Sequence, residues 1–328
     1  MDAKGPEAAR PEISIVVVTW NGKGMALQCL NSLCALRSNI STEVIVVDNA
    51  STDGTPEAIG VGFPQVRLIR NQSNLGFARA NNIGMAGCNG KYICLVNSDV
   101  VVPRGCIEAM YCYMEQRPDV GMLGPKMILP SGQVGVSCLR FPTVWNRLCS
   151  AMGVDSLFKG SKIFGDFMMA SFKYDRIADV DVLTGWFWML RREAVRQVGV
   201  LDDRFFMYGE DIDWSKRFHL GGWRVIFYPE AEAIHQCAGS SSRAPTQFYL
   251  EMTRANIQYF RKYHGSLAVL GFKLATAVHQ IVRMAAYGLA YAFRRTIRPC
   301  ASFKFKRSAA CLLWLMGLDG RGATQWLR

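Results

Sequence analysis

Four short runs dense in Val and Ile punctuate the first hundred residues: ISIVVVT at 13–19, EVIVVD at 43–48, VRLIR at 66–70 and YICLVNSD at 92–99. Apolar runs of this length, without polar alternation, fit strands covered on both faces. Helical patterns separate them. Residues 24–36 carry apolar side chains at 27, 30, 33 and 34, and 77–88 also reads as a helix. Pro103 then opens a helix over 104–116, since proline is tolerated in a first turn. A repeated strand–helix order allows few folds. It predicts an α/β chain with a mostly parallel, Rossmann-like central sheet and helices on both faces. Ligands on such sheets bind beyond the carboxyl ends of the strands. Those ends here are Thr19-Trp20-Asn21, Asp48-Asn49 and Asn97-Ser98-Asp99, and each offers polar groups.

Residues 125–180 show no clear period. A short strand or turn within 180–191 precedes a helix near 192–198, and 211–222 reads as a helix closed by Gly221-Gly222. WRVIFYP at 223–229 reads as a further strand. From 246 the pattern is helical to about 297 and again over 308–317. There is no internal repeat and no low-complexity segment.

The length, 328 residues with half of them apolar, suits one large domain with an appendage, or two domains. The net charge of +12 is unevenly placed. Residues 1–242 hold 24 basic and 24 acidic side chains, whereas 243–328 hold 14 basic residues against only Glu251 and Asp319. The tail is therefore a surface for an anionic partner. The eleven cysteines are odd in number and form no CxxC pair, which points to reduced thiols in the cytosol. Residues 1–11 are polar and read as a flexible N-terminus without a signal-peptide core. No stretch of about 20 residues is uninterruptedly apolar, so a membrane span is not expected.

Several residues stand where chemistry could be done. Asp48 ends a buried strand at the ligand edge and could accept a base N–H or a ribose hydroxyl. Asp53 suits a turn or helix cap better. In NLGFARANNIG (74–84) a glycine-bearing loop opens a helix whose free N–H groups, with Arg79, could receive phosphate. Asp99, at the same sheet edge, suits a hard divalent cation bridging phosphates. His235 precedes the polar loop 239–242. FFMYGEDIDW (205–214) puts Glu210, Asp211 and Asp213 behind aromatic residues, and buried carboxylates are costly unless paired or put to use. Asp213 lies on a different helix face and suits a structural pair with Lys216 or Arg217.

Seven segments in this order resemble the family 2 glycosyltransferases, in the rhamnosyltransferase-like branch. They are VVVTWNG (16–22), VDNASTDGT (47–55), NLGFARANNIG (74–84), LVNSDV (95–100), TGWFWMLRR (184–192), FFMYGEDIDW (205–214) and IHQCAGSS (234–241). The resemblance implies a GT-A nucleotide-diphosphosugar transferase domain over 12–242, followed by a helical membrane-associating extension over 243–328. It implies that Thr19, Asn21, Asp48, Arg79, Asn82, Asn97 and Ser98 bind the donor. Asp99 and His235 would hold Mg²⁺ or Mn²⁺ on the diphosphate. Asp211 would be the catalytic base supported by Glu210, and Trp186 would border the acceptor. The family's Asp-x-Asp metal motif departs here to Asn97-Ser98-Asp99, which leaves one carboxylate fewer.

The implied reaction is inverting transfer of a sugar onto a growing lipid-linked surface polysaccharide. The donor expected from the branch is dTDP-L-rhamnose, with UDP-galactose, UDP-galactofuranose or another hexose donor as the alternative. The implied location is the cytoplasmic face of the membrane. Two rivals remain at this level: a nucleotidyltransferase, for which VVVTWNGKG is a poor phosphate loop, and an inactive membrane scaffold. The tail mixes cations with long aliphatic runs over 266–298 and 303–318, which fits a helix in the interface of an anionic membrane. A helical cap on the domain or a dimer contact is its alternative use, and a homo-oligomer is compatible with the sequence. Nucleic acid is not an expected partner, for want of any recognition motif.

Overall fold

The computed structural model describes residues 10–35, 39–158, 161, 163–164, 167–237 and 244–318. Most of the expected flexible N-terminus (1–9) and the loop 238–243 lie outside the described residues.

The first half alternates as the Val/Ile runs predict: β1 (Ile13–Thr19), α1 (Lys23–Cys34), β2 (Thr42–Asp48), α2 (Thr55–Gly62), β3 (Arg67–Arg70), α3 (Phe77–Ala86) and β4 (Tyr92–Asn97). The four strands are parallel and ordered β3-β2-β1-β4. Successive strand residues point to opposite faces. Ile15 and Val17 therefore join Leu30 and Met110 on one face, while Val16 joins Leu95, Trp188 and Trp214 on the other. Two covered faces explain why the runs carry no polar alternation.

Beyond β4 come β5 (Val100–Val101), α4 (Cys106–Gln116), β6 (Val120–Ile128), β7 (Cys138–Leu139), α5 (Val144–Ala151), α6 (Val154–Leu157), β8 (Ala178–Asp179), β9 (Val182–Leu183), β10 (Phe187–Arg191), α7 (Arg192–Val198), α8 (Glu210–Leu220) and β11 (Arg224–His235). The sheet continues from β4 to β10, β6, β11 and β5. β10 runs against both its neighbours, and β11 runs parallel to β6. The sheet is thus mostly parallel with one reversed central strand. β7 and β9 form a separate small ribbon.

Most boundaries fall within two residues of the sequence reading, and four features depart from it. Pro103 does not open a helix. α4 starts at Cys106, because Gly105 adopts a left-handed conformation (φ 84°) that turns the chain into it. β6 was not foreseen, since Gly121, Gly124 and Pro125 interrupt its apolar run. β11 does not stop at Pro229 but bulges between Tyr228 and Glu232, where no ladder N–H is needed, and continues to His235. The C-terminal helical stretch is three helices: α9 (Pro245–Tyr263), α10 (Gly265–Phe293) and α11 (Arg298–Leu315). The last begins ten residues earlier than expected, at Arg298 rather than 308.

α9 is fastened to the sheet domain. Its Tyr259 and Phe260 are fully buried, the former with Val182 and Ile212. α10 packs against α5, α9 and α11.

Candidate active site

The sheet brings its polar strand ends together at one edge. Thr19 lies in register beside Asp48, and Val18 beside Asn97. The N–H of Asn97 donates to the Trp186 carbonyl (2.9 Å), so the segment entering the reversed strand β10 arrives at the same edge. β11 delivers His235 opposite Val100. The N-terminus of α8 closes the far side. Together these enclose a crevice of about 590 Å³, lined by Thr19, Asn21, Asp99, Trp186, Asp211 and His235 among others.

Asp48 is buried and its Oδ2 accepts from the N–H of Ser51 (2.9 Å). Its Oδ1 is buried without a hydrogen-bond partner among the described residues, as is the Thr19 hydroxyl in the adjacent strand. Two such groups side by side at a ligand edge are unusual unless something else satisfies them. Asn21 takes a left-handed conformation (φ 51°), and its Oδ1 accepts from the N–H of Thr52 (2.7 Å), which pins the turn after β2. Asp53 accepts from the N–H groups of Lys23 and Thr55, the turn role expected of it.

Arg79 and Asn82 stand elsewhere. Arg79 lines a neighbouring cavity of about 240 Å³ with Ser73, Asp203, Arg204 and Arg254. Asn74 and Phe206 face both cavities. Asn82 commits its amide to the backbone of Leu201, donating to its carbonyl (2.8 Å) and accepting from its N–H (3.1 Å).

Asn97 and Ser98 line the crevice beside Asp99. Asp99 Oδ1 and His235 Nε2 meet at 3.0 Å, and the imidazole stacks on Trp186 with centroids 5.5 Å apart. A carboxylate oxygen and an imidazole nitrogen are a donor set that suits a divalent cation. Among the described residues no group of three or more His, Cys, Asp or Glu side chains is placed to hold a metal ion. The pair supplies two such ligands and does not by itself cage a cation.

Glu210 and Asp211 open α8 after Gly209, which is left-handed (φ 78°). Glu210 is buried and its Oε2 lacks a partner among the described residues. Burial, then the neighbouring Asp211 charge, pushes its pKa well above the ordinary carboxylate range. Burial also raises Asp211, against the pull of N–H groups from Ile212 and Gly185. Asp213 is different: it is fully buried and paired. Its oxygens accept from Arg217 (2.9 Å), Lys262 (2.6 Å) and the Tyr263 hydroxyl (2.8 Å). Arg217, not Lys216, is its helical partner.

Two sets of residues at the site escaped the sequence reading. Asn49 accepts from Asn71 (2.9 Å) and the N–H of Leu75 (3.2 Å) and donates to Asn74 (3.0 Å) and the Gly76 carbonyl (3.1 Å). This ties the strand end to the loop before α3. The asparagine pairing was visible only as composition. The other is Phe248, which walls the crevice in edge-on contact with Tyr208, one of the aromatic residues expected there before Glu210. Phe248 comes from α9, which had been assigned to the appendage.

A sheet with amides and acids at its strand ends, facing a helix that opens on two carboxylates, defines a glycosyltransferase of the GT-A fold. The chain belongs to glycosyl transferase family 2, whose profile matches residues 14–199. It is 31% identical over 255 residues to the N-acetylglucosaminyl-diphospho-decaprenol L-rhamnosyltransferase of Mycobacterium tuberculosis, covering 71% of this chain and 78% of that one. Among solved structures it resembles a mannosyltransferase of Pyrobaculum calidifontis in complex with GDP-Man and Mn²⁺, with a TM-score of 0.51, 17% identity, and coverage of 94% and 88%. It also resembles GalNAc-T7 with UDP, GalNAc and Mn²⁺, with a TM-score of 0.54, 13% identity, and coverage of 98% of this chain and 59% of that one. At these identities the structural likeness concerns the fold.

Proposed function

We propose that the protein is an inverting rhamnosyltransferase, moving L-rhamnose from dTDP-L-rhamnose onto a lipid-linked glycan at the cytoplasmic face of a membrane. The observation that carries the mechanism is the pair Glu210–Asp211, placed across one crevice from Asp99 and His235. The donor sugar rests on similarity to the mycobacterial L-rhamnosyltransferase, whose own name also motivates the lipid-diphosphate acceptor.

The nucleoside sits at the ends of β1 and β2. There the unpartnered Asp48 Oδ1 and Thr19 hydroxyl meet the base and ribose, and Asn21 and Asn49 hold the surrounding turns. Asp99 and His235, beside Asn97 and Ser98, would hold a divalent cation, Mg²⁺ or Mn²⁺, at the diphosphate end of the crevice. When bound, that cation supplies charge neutralisation for the leaving nucleoside diphosphate. Asp211 takes the proton from the acceptor hydroxyl as its oxygen attacks the anomeric carbon. One displacement inverts that centre. The raised pKa of Asp211 makes it a stronger base once ionised. Burial and the neighbouring Asp211 charge push Glu210 well above the ordinary carboxylate range, which favours Asp211 as the ionised member of the pair. Trp186, stacked on His235, borders the acceptor side.

The test uses purified protein, Mn²⁺ or Mg²⁺ and a panel of nucleotide-sugars, scored by thermal stabilisation and release of nucleoside diphosphate. dTDP-rhamnose is expected to give both, and Asp99→Ala to lose the metal-dependent part. Asp211→Asn is expected to retain donor binding while transfer falls by about 10²-fold or more. A response to a UDP-hexose alone would replace rhamnose with that sugar. Unchanged transfer in Asp211→Asn would remove the base assignment.

A further inference from the structure

α10 has one side on which no described residue packs. Leu267, Leu270, Leu274, Val278 and Ile281 recur every three or four residues along it, Ala285 continues the step to Leu289, and all are exposed. Residues so spaced lie one above another on a helix. With Phe293 they form a continuous apolar band about 40 Å long. It is strongly exposed at both ends, 86% at Leu267 and 81% at Phe293. The opposite side is committed to protein. Val269 and Phe272 pack with Ile257 and Phe260 of α9, Val144 of α5 and Trp314 of α11. Half-exposed Trp145 follows Val144 in α5.

Charge says what covers this band. No Asp or Glu occurs between Glu251 and Asp319. Arg294, Arg295 and Arg298 follow directly on its end, and Lys304, Lys306 and Arg307 come on α11, which folds back against it, with Lys304 over the Tyr287 ring and Arg307 over that of Tyr249. A second copy of the chain would bring more cations and, between residues 252 and 318, no carboxylate to pair with them. An anionic lipid surface would attract them. α10 is long and apolar enough to cross a bilayer by length and composition. Its other side, however, is packed on protein and buries Gln280, so only half of it can meet acyl chains. A helix with one apolar side, one protein-bound side and cations at its end lies along an interface and does not cross it.

We propose that α10 lies lengthwise in the interface of an anionic bilayer, with the 267–293 stripe among the acyl chains and the 294–307 cluster on lipid phosphates. This narrows the membrane partner of the proposed function to one helix side, and its meaning rests on that reading.

The test is co-sedimentation of the full chain with phosphatidylcholine vesicles, with and without phosphatidylglycerol. The expected result is binding at least about tenfold tighter with phosphatidylglycerol, weakened by salt. Leu270→Glu, Leu274→Glu and Ile281→Glu together should reduce it by a further tenfold or more, as should Arg294→Gln with Arg295→Gln in the anionic case. These side chains are exposed, so thermal stabilisation by nucleotide-sugar should survive in both variants. That readout separates failure of docking from failure of the donor assignment. Equal binding to both vesicle types, or none, overturns the proposal without needing any variant. So does a lipid-free dimer that the glutamate substitutions dissociate, which would make the stripe a self-contact.

Discussion

Glu210 and Asp211 share the first turn of one helix but not one environment. Glu210 is buried with an unpartnered oxygen, whereas Asp211 receives backbone N–H groups and faces the crevice. A folded-state pKa raised above 4.5 makes Glu210 favour folding only while it is protonated. The stability it contributes is complete below its unfolded value and is lost as pH rises through its folded value. Glu210→Gln should therefore leave Tm unchanged near pH 4 and raise it at pH 8, by about 2–4 °C for each kcal/mol released. A Tm–pH curve for the variant parallel to that of the wild type would show that Glu210 is ionised in the fold. The oddity of these two acids was legible from aromatic neighbours in the chain. The importance of Asn49 was not, because its four partners come from a loop more than twenty residues away.

At the scale of elements, the crevice depends on two ties, one made by backbone and one by an ion pair. Gly76 is left-handed (φ 81°), and a Cβ there would collide with the Phe206 carbonyl and lie 2.7 Å from its ring. The neighbouring N–H of Phe77 donates to that same carbonyl (2.7 Å). Gly76→Ala should force the loop before α3 away from the 205–208 segment, costing about 2 kcal/mol or more and weakening donor binding. Denaturant unfolding with a nucleotide titration reads both effects, and a fully stable variant would refute the contact. The second tie is Lys262. Its ammonium bridges Asp213 (2.6 Å) and Asp202 (2.8 Å) and so joins α9 to the loop entering α8. Hydrogen bonds from Arg204, with Lys262 adding to them, hold Asp202 well below the usual carboxylate range. Lys262→Met should cost about 1–3 kcal/mol, since buried Asp213 keeps Arg217 and Tyr263. Lys262→Arg should recover part of that loss in the same chemical denaturation. The pairing of Asp213 with Arg217 could be anticipated from helical spacing, but the bond to Lys262 spans 49 residues and has no local signature.

Over the whole molecule, the boundary drawn by charge and the boundary drawn by packing do not coincide. The acid–base balance ends near residue 242, yet α9 beyond it buries Tyr259 and Phe260, pairs with Asp213 and walls the crevice with Phe248. A chain ending at 242 should lack a cooperative unfolding transition, because it exposes that core and leaves Asp213 short of partners. A sharp calorimetric transition in the truncated chain would make α9 dispensable. The sequence by itself determined what local period and strand-end chemistry encode: the parallel β3-β2-β1-β4 core, the polar sheet edge, the family, and the concentration of cations in the tail. These follow from side chains within a few residues of one another. The tertiary structure alone decided which strand is reversed, that β11 continues through its bulge to carry His235 to Asp99, that Asn82 serves the Leu201 backbone, and that α9 completes the site while α10 leaves one side bare. Each of these depends on contacts between residues far apart in the chain. Hydrophobic periodicity shows that a face will be buried, but the identity of what buries it is set only when the elements pack.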